Sequence, residues 1–223
     1  MIFQEYELRS MDIDEKRLFK QYRKPTGIFG LFVGRKMNND HAGIRRWGMS
    51  HIICNPDSCI LDIGCGGGKA IEELAGYIKN GKVYGIDYSK DMVALSKSVN
   101  KAFIKKGLVE ITYGNVSQLP YSDDMFDLVT AFETCYFWPN LVEDLKEIRR
   151  IIKPGGTLLL VNEVYKNENF DKRNKKLVAL IDMQIHTPEE YNDFLKEAGF
   201  VVERIETVTK KNWITAVAKM YDS

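Results

Sequence analysis

Little in this 223-residue sequence offers a ready-made metal cage, membrane anchor or disulfide frame. Histidine occurs three times, at His41, His51 and His186. The four cysteines, Cys54, Cys59, Cys65 and Cys135, form no CxxC pair and stand beside no histidine pair, so no metal site is expected from spacing. Free thiols fit a reducing compartment, and a cytoplasmic location is expected. No uninterrupted apolar run approaches the roughly 18 residues of a membrane span. The opening MIFQEYELRSMDIDEK is charged from Glu5 onward, unlike a signal peptide. Charge of one sign is missing too: 32 Lys and Arg stand against 31 Asp and Glu, leaving no electrostatic reason to expect nucleic acid as a partner. With no internal repeat and 44% hydrophobic residues, the chain reads as an ordinary globular protein.

The charge that is present is unevenly spread. Residues 1–50 carry 10 basic and 6 acidic side chains, residues 51–165 carry 12 and 15, and residues 166–223 carry 10 of each. The basic front end is either solvated surface or a rim near an anionic substrate.

From residue 58 onward short apolar runs alternate with helical stretches. CILDI (Cys59–Ile63) ends in a glycine cluster and is followed by a helix over Lys69–Lys79. KVYGID (Lys82–Asp87) precedes a helix capped by Ser89 and running to about Lys105, with Asp91 in its first turn. Val109–Gly114 and Phe126–Glu133 are the next strands. A helix over Leu141–Ile152 stops at KPGG, which turns into Thr157–Glu163. Thr187-Pro188-Glu189-Glu190 has the form of a capped helix start, and Gly199 ends that helix. Phe200–Glu206 and Trp213–Met220 then form an antiparallel hairpin. Continuous apolar strands joined by helices are buried on both faces. The expected fold is therefore a doubly wound, Rossmann-like α/β sheet of seven mostly parallel strands, with helices on both faces and the hairpin at one edge. A helix over Asp40–Ile53 belongs to a front segment outside this pattern, and residues 165–185 form an insertion. Two regions are expected: residues 1–57 as a helical cover, and residues 58–223 as the ligand-binding domain, with the insertion adding to the cover.

Asp62-Ile63-Gly64-Cys65-Gly66-Gly67-Gly68 sits where the first strand turns into the first helix. A phosphate-binding GxxxxGK[ST] loop fails here, because Ile63 occupies its first glycine and Ala70 its hydroxyl position. The dinucleotide fingerprint GxGxxG fits in part, with Lys69 in the third glycine position. Asp62 would repel a pyrophosphate but favours an ammonium or sulfonium group. Asp87 ends the second strand, where a carboxylate accepts from both ribose hydroxyls. Together these features point to an adenosine ligand without a pyrophosphate.

Four motifs in order resemble those of the class I S-adenosylmethionine-dependent methyltransferases: ILDIGCGGG (Ile60–Gly68), VYGIDYSKDM (Val83–Met92), GNVSQLPYSDDMFDLV (Gly114–Val129) and LKEIRRIIKPGGTLLLVNE (Leu145–Glu163). The resemblance implies S-adenosylmethionine as cofactor and S-adenosylhomocysteine as product. It implies that Gly64, Cys65 and Gly66 line the methionine moiety, that Asp87 holds the ribose with Tyr88 and Met92 near the adenine, and that Asn115 and Val116 contact the base. The family more often has Asp where Asn115 stands. Met37-Asn38, His41 and Arg46-Trp47 are similar to the MN…H…W pattern of ubiquinone and menaquinone ring C-methylases, although Arg35-Lys36 replaces the preceding Tyr-Asp pair of that group.

The acceptor is expected beyond the fourth and fifth strands. Glu133-Thr134-Cys135-Tyr136 stands where methylases of adenine or glutamine amino groups carry an NPPY-type tetrapeptide, which turns the expectation toward a small-molecule acceptor. His41 is the leading candidate base and Glu133 the second, Glu133 being equally placed to cap the strand end. Trp47, Tyr136, Trp138 and Glu163 are candidate acceptor contacts. The alternatives are an RNA- or protein-modifying methyltransferase, an NAD(P)-dependent oxidoreductase on the same sheet, and a protein that binds the cofactor without turnover.

Overall fold

The computed structural model describes residues 15–221, with side chains described from Phe19 onward. The first part of the expected cover, residues 1–14, lies outside the described residues. In chain order the elements are helices α1 (Glu15–Arg23), α2 (Gly27–Asp40) and α3 (Ala42–Met49), then β1 (Cys59–Ile63), α4 (Lys69–Ala75), β2 (Lys82–Asp87), α5 (Lys90–Val99), α6 (Lys101–Lys105), β3 (Val109–Tyr113) and β4 (Phe126–Phe132). There follow α7 (Leu141–Ile151), β5 (Ile152–Asn162), α8 (Asp171–Ile181), α9 (Pro188–Glu197), β6 (Val201–Val208) and β7 (Trp213–Lys219).

The strands form one sheet in the order β3-β2-β1-β4-β5-β7-β6. Five are parallel, and β7 lies antiparallel between β5 and β6, as the apolar runs and the terminal hairpin predict. Both faces are covered. Ile44 of α3, Ile71 and Leu74 of α4 and Val93 of α5 pack with Ile60 and Leu159 on one side. On the other, Leu145 and Ile148 of α7 and Tyr191 and Leu195 of α9 pack with Leu61, Val129 and Leu160. Parallel strands buried on both faces must be apolar throughout, which is why they show in the sequence as runs rather than as alternation. Strand order reverses between β1 and β4, so the crevice beyond their carboxyl ends is where such a sheet takes a ligand.

The structure moves several expected boundaries. The helix expected over Asp40–Ile53 is shorter, and the chain is already helical from Gly27. The joint between α2 and α3 falls at His41, where Arg45 reaches back to the Asn38 carbonyl at 3.2 Å. The helix expected to run from Ser89 to Lys105 breaks at Asn100, whose fully buried amide donates to Gly68 O at 2.9 Å and Ser96 O at 3.0 Å. That side chain ties α5 to the glycine loop at the cost of helix continuity. Lys153-Pro154-Gly155-Gly156 is no turn: Gly155 N donates to Met220 O at 2.7 Å and Met220 N to Gly156 O at 3.1 Å, so pairing with the C-terminal strand draws it into β5. The helix expected over Lys69–Lys79 ends at Ala75. The capped start at Thr187 is as read, with Glu190 N donating to Thr187 Oγ1 and Thr187 N to the Glu190 carboxylate.

Candidate active site

The crevice beyond β1 and β4 holds two adjoining cavities. Asp62, Gly66, Met92, His41, Glu133, Tyr136, Glu163 and Leu177 are among the residues around the first. Gly114, Asn115, Val116, Trp138 and Pro139 line part of the second. Gly64, Asp87, Tyr88 and Thr134 border both, so a ligand bent over Asp87 spans the two.

The glycine loop shapes this cradle. Gly64 has φ +67°, and a Cβ there would lie 2.2 Å from Thr134 Oγ1, so the backbone must remain bare for β1 and β4 to end side by side. Gly68 enters α4 at φ +83°, where a Cβ would strike Ser96 Oγ at 2.3 Å. Asp87 is buried at the end of β2 and accepts from Gly66 N and Ser89 N, both at 2.8 Å. Each carboxylate oxygen keeps lone-pair capacity for a hydroxyl donor. Burial raises the Asp87 pKa and these two amide bonds oppose the rise. Asp62 accepts from Thr130 Oγ1 at 2.7 Å at the floor of the first cavity. Burial drives its pKa to about 7, with the Thr130 bond opposing, so Asp62 is poised to ionise when a cation arrives. Cys65 lies within the loop, and burial holds its thiol well above the usual range, which leaves it unreactive.

The front helices are stitched to this loop. Asn38 Nδ2 donates to Gly67 O at 3.1 Å. Ser89 Oγ donates to Pro25 O at 2.6 Å, Gly27 N donates to Asp91, and the Tyr88 hydroxyl donates to Arg23 O. The turn after β2 that presents Asp87 therefore also holds the joint between α1 and α2.

Across the first cavity stands a second group. Glu133 follows β4 in the left-handed region, φ +59°, a conformation unusual for a non-glycine residue. Tyr136 donates its hydroxyl to Glu133 Oε2 at 2.9 Å. Burial, then the nearby Glu163 carboxylate, push the Glu133 pKa well above the ordinary carboxylate value. His41 faces the same space; burial, then Arg45, lower its pKa to about 3, so its imidazole is neutral. Donor atoms of His41, Glu133 and Glu163 lie within 4.8 Å of one another. Around them Leu177, Ile181 and Met183 of the insertion pack with Phe19, Tyr136 and Val164, forming an apolar wall.

Comparisons with known proteins bear on the fold that carries this site. Residues 61–160 match the family model of a methyltransferase domain. A demethylmenaquinone methyltransferase of Bacillus mycoides is 38% identical over 146 residues, covering 65% of this chain and 61% of that protein. Over this matched stretch the chain is similar to methyltransferase domains. Its matched part spans about three fifths of the length of that curated relative. Among solved structures, a SAM-dependent methyltransferase from Aquifex aeolicus superposes with a TM-score of 0.70 at 20% identity, covering 85% of this chain and 98% of that one. The cyclase SpnF also superposes at 0.70, with 17% identity and 81% of each chain covered. At those identities the likeness concerns the fold, and a cyclase among the neighbours shows that this sheet alone does not fix a reaction.

With the methyltransferase fold in place, the expected site residues divide. Asp62, Gly64, Cys65, Gly66, Asp87 and Tyr88 come together around the first cavity, and Asn115 and Val116 face the second. Asn115 Oδ1 accepts from Ser117 N at 3.0 Å, which shapes the loop. Met92 borders the first cavity, with its sulfur against Gly34 of α2. Tyr136, Glu133, Glu163 and His41 meet across the first cavity. Trp138 lines the second cavity. Trp47 lines neither: it stacks on Trp213 of β7 at 5.7 Å and against His51, because its place on α3 turns it toward the hairpin. His186 packs between Tyr191 and Phe194. Sequence reasoning missed Thr130, which reaches Asp62 from β4, and Arg45, which is buried and forms a paired contact with Glu73 at 2.8 and 3.0 Å beneath the site. No spacing rule links either to the glycine loop. It also missed Tyr22, Leu177, Ile181 and Met183, which α1 and the insertion bring to the cavity.

Proposed function

We propose that this protein transfers a methyl group from S-adenosylmethionine to a small-molecule acceptor seated between Glu133 and the α1–α8 wall. One observation carries the reading: a single cavity is bordered both by Asp62, Gly64 and Asp87 and by Glu133, Glu163 and Leu177, so the proposed cofactor cradle opens directly onto a second chamber. The cofactor supplies a methyl carbon on a sulfonium, whose displacement needs no acid for the leaving group. The chain's own task is then to position, to exclude water and to accept a proton. Asp62 meets the cofactor ammonium, Asp87 the ribose, and Asn115 and Val116 the adenine edge. Residues 1–57 and 165–185 act as the cover over the acceptor. Glu133 takes the acceptor's proton on Oε1, which is buried at the cavity with no hydrogen-bond partner among the described residues, and burial raises the carboxylate's affinity for a proton above the ordinary value. The names of the curated relatives make demethylmenaquinone the first acceptor to try. Four free cysteines, two of them buried, support a cytoplasmic location, and no described helix is long and apolar enough to cross a membrane.

The deciding experiment is incubation with labelled S-adenosylmethionine and the deproteinised small-molecule fraction of a cell extract. Label should appear in a small product, with Glu133→Gln losing on the order of 10²–10⁴-fold in turnover at unchanged S-adenosylhomocysteine affinity. Affinity for NADH without affinity for S-adenosylhomocysteine sinks the reading.

A further inference from the structure

The cluster facing the cofactor cradle has a composition that proton transfer alone does not require. His41 comes from the joint between α2 and α3, Glu133 from the end of β4 and Glu163 from the residue after β5, so three separate parts of the chain deliver one donor atom each to one place. Two of these residues carry an orphaned atom: His41 Nε2 and Glu133 Oε1 are buried and have no hydrogen-bond partner among the described residues. Glu133 is only 8% exposed. A buried polar atom left without a partner is a cost that native proteins rarely carry without a use. The other oxygen of Glu133 is fixed by the Tyr136 hydroxyl, the kind of outer contact that orients a metal-bound carboxylate. Arg173 stands nearby, but its Nη2 donates to the Glu163 backbone carbonyl at 3.3 Å.

We propose that His41, Glu133 and Glu163 form a binding site for one divalent first-row transition ion. Donors about 2.1 Å from a shared ion lie at most about 4.2 Å apart. Atoms within 4.8 Å of one another close on such an ion by small side-chain rotations. An imidazole with two carboxylates selects manganese, iron or zinc over magnesium and calcium, which take oxygen donors alone. Three protein ligands leave coordination positions turned toward the cavity. On the methyl-transfer reading, those positions hold an oxygen of the acceptor beside the cofactor, and the ion, in place of a free Glu133 carboxylate, favours its deprotonated form.

The test uses the whole chain, stripped with a chelator and titrated with Mn²⁺. Electron paramagnetic resonance should report one bound ion per chain, with nitrogen coupling from an imidazole in its pulsed spectrum. His41→Ala should remove that coupling, and His41→Ala and Glu163→Gln should each weaken binding by about tenfold or more while the thermal unfolding midpoint is kept. Tyr136→Phe should weaken binding by about tenfold through loss of the orienting bond. S-adenosylhomocysteine affinity, measured in parallel, separates the two readings. Cofactor binding without stoichiometric Mn²⁺ binding, or Mn²⁺ binding with no nitrogen coupling, overturns the metal site and assigns the cluster to proton handling. Loss of cofactor affinity in the unsubstituted chain overturns the methyl-transfer reading and leaves the metal result standing on its own.

Discussion

The two sides of the first cavity are built by different rules. On the cofactor side the backbone does most of the work: Gly64 and Gly68 sit at positive φ, Asp87 accepts from two amides, and the loop is held within one βαβ unit. On the opposite side, side chains from distant segments converge, an apolar wall facing a small polar cluster of His41, Glu133, Tyr136 and Glu163. A ligand that must always be held the same way is met by backbone geometry, which tolerates no variation. A ligand that distinguishes one protein from another is met by side chains on elements added to the sheet.

The contrast can be broken from the cofactor side first. Gly64→Ala places a Cβ at φ +67° and 2.2 Å from Thr134 Oγ1. Left-handed strain and overpacking together cost about 2–5 kcal/mol. The variant should unfold at clearly lower denaturant and lose S-adenosylhomocysteine binding. Asp87→Ala removes the acceptor of two charge-assisted bonds worth about 1.5–3 kcal/mol each and should weaken cofactor binding by about 10²–10⁴-fold in calorimetry. Unchanged affinity would mean that the ribose lies elsewhere.

The wall answers differently. Leu177→Ala should cost about 2–3 kcal/mol of stability and disturb acceptor KM while S-adenosylhomocysteine affinity holds. An equal loss on both ligands would erase the distinction between the sides.

Asp62 gives a smaller effect, but one with a definite sign. In the ligand-free fold its pKa is raised to about 7, so below that pH it is protonated and must lose a proton to meet an ammonium group. Cofactor affinity should fall by up to about tenfold per unit as pH drops below 7 and level off above it, with Asp62→Asn abolishing the dependence. The same raised pKa makes Asp62 favour the ligand-free fold at low pH, a contribution lost as pH rises through about 7. His41 has the opposite sign: its lowered pKa gives stability present above the ordinary histidine value and lost as pH falls toward about 3. The exposed Arg23–Asp182 pair between α1 and α8 comes last, and Asp182→Asn should change stability by less than about 1 kcal/mol.

The same division explains what could be read in the sequence. The five parallel strands, the hairpin, the glycine loop and Asp87 all declare themselves within short windows, because buried strands demand apolar runs and tight turns demand glycine. Boundaries slipped where a distant partner overrode local preference: Asn100 breaks its helix to reach Gly68, and Lys153–Gly156 becomes strand because the C-terminal strand pairs with it. Trp47 matched a pattern before the first motif, yet α3 turns it toward Trp213. Thr130, Arg45, Leu177 and Met183 carry no local signature, since their proximity to the site exists only after the sheet has assembled.

Tyr88 and Ser89 grip the carbonyls of Arg23 and Pro25, directly beside the carboxylate proposed to meet the ribose. In kinetic terms, a ligand that stiffens residues 87–89 also stiffens the pivot of α1, which walls the other chamber. On the proposed methyl-transfer reading the expected outcome is a compulsory order of binding, nucleoside first in and last out, which product-inhibition patterns check.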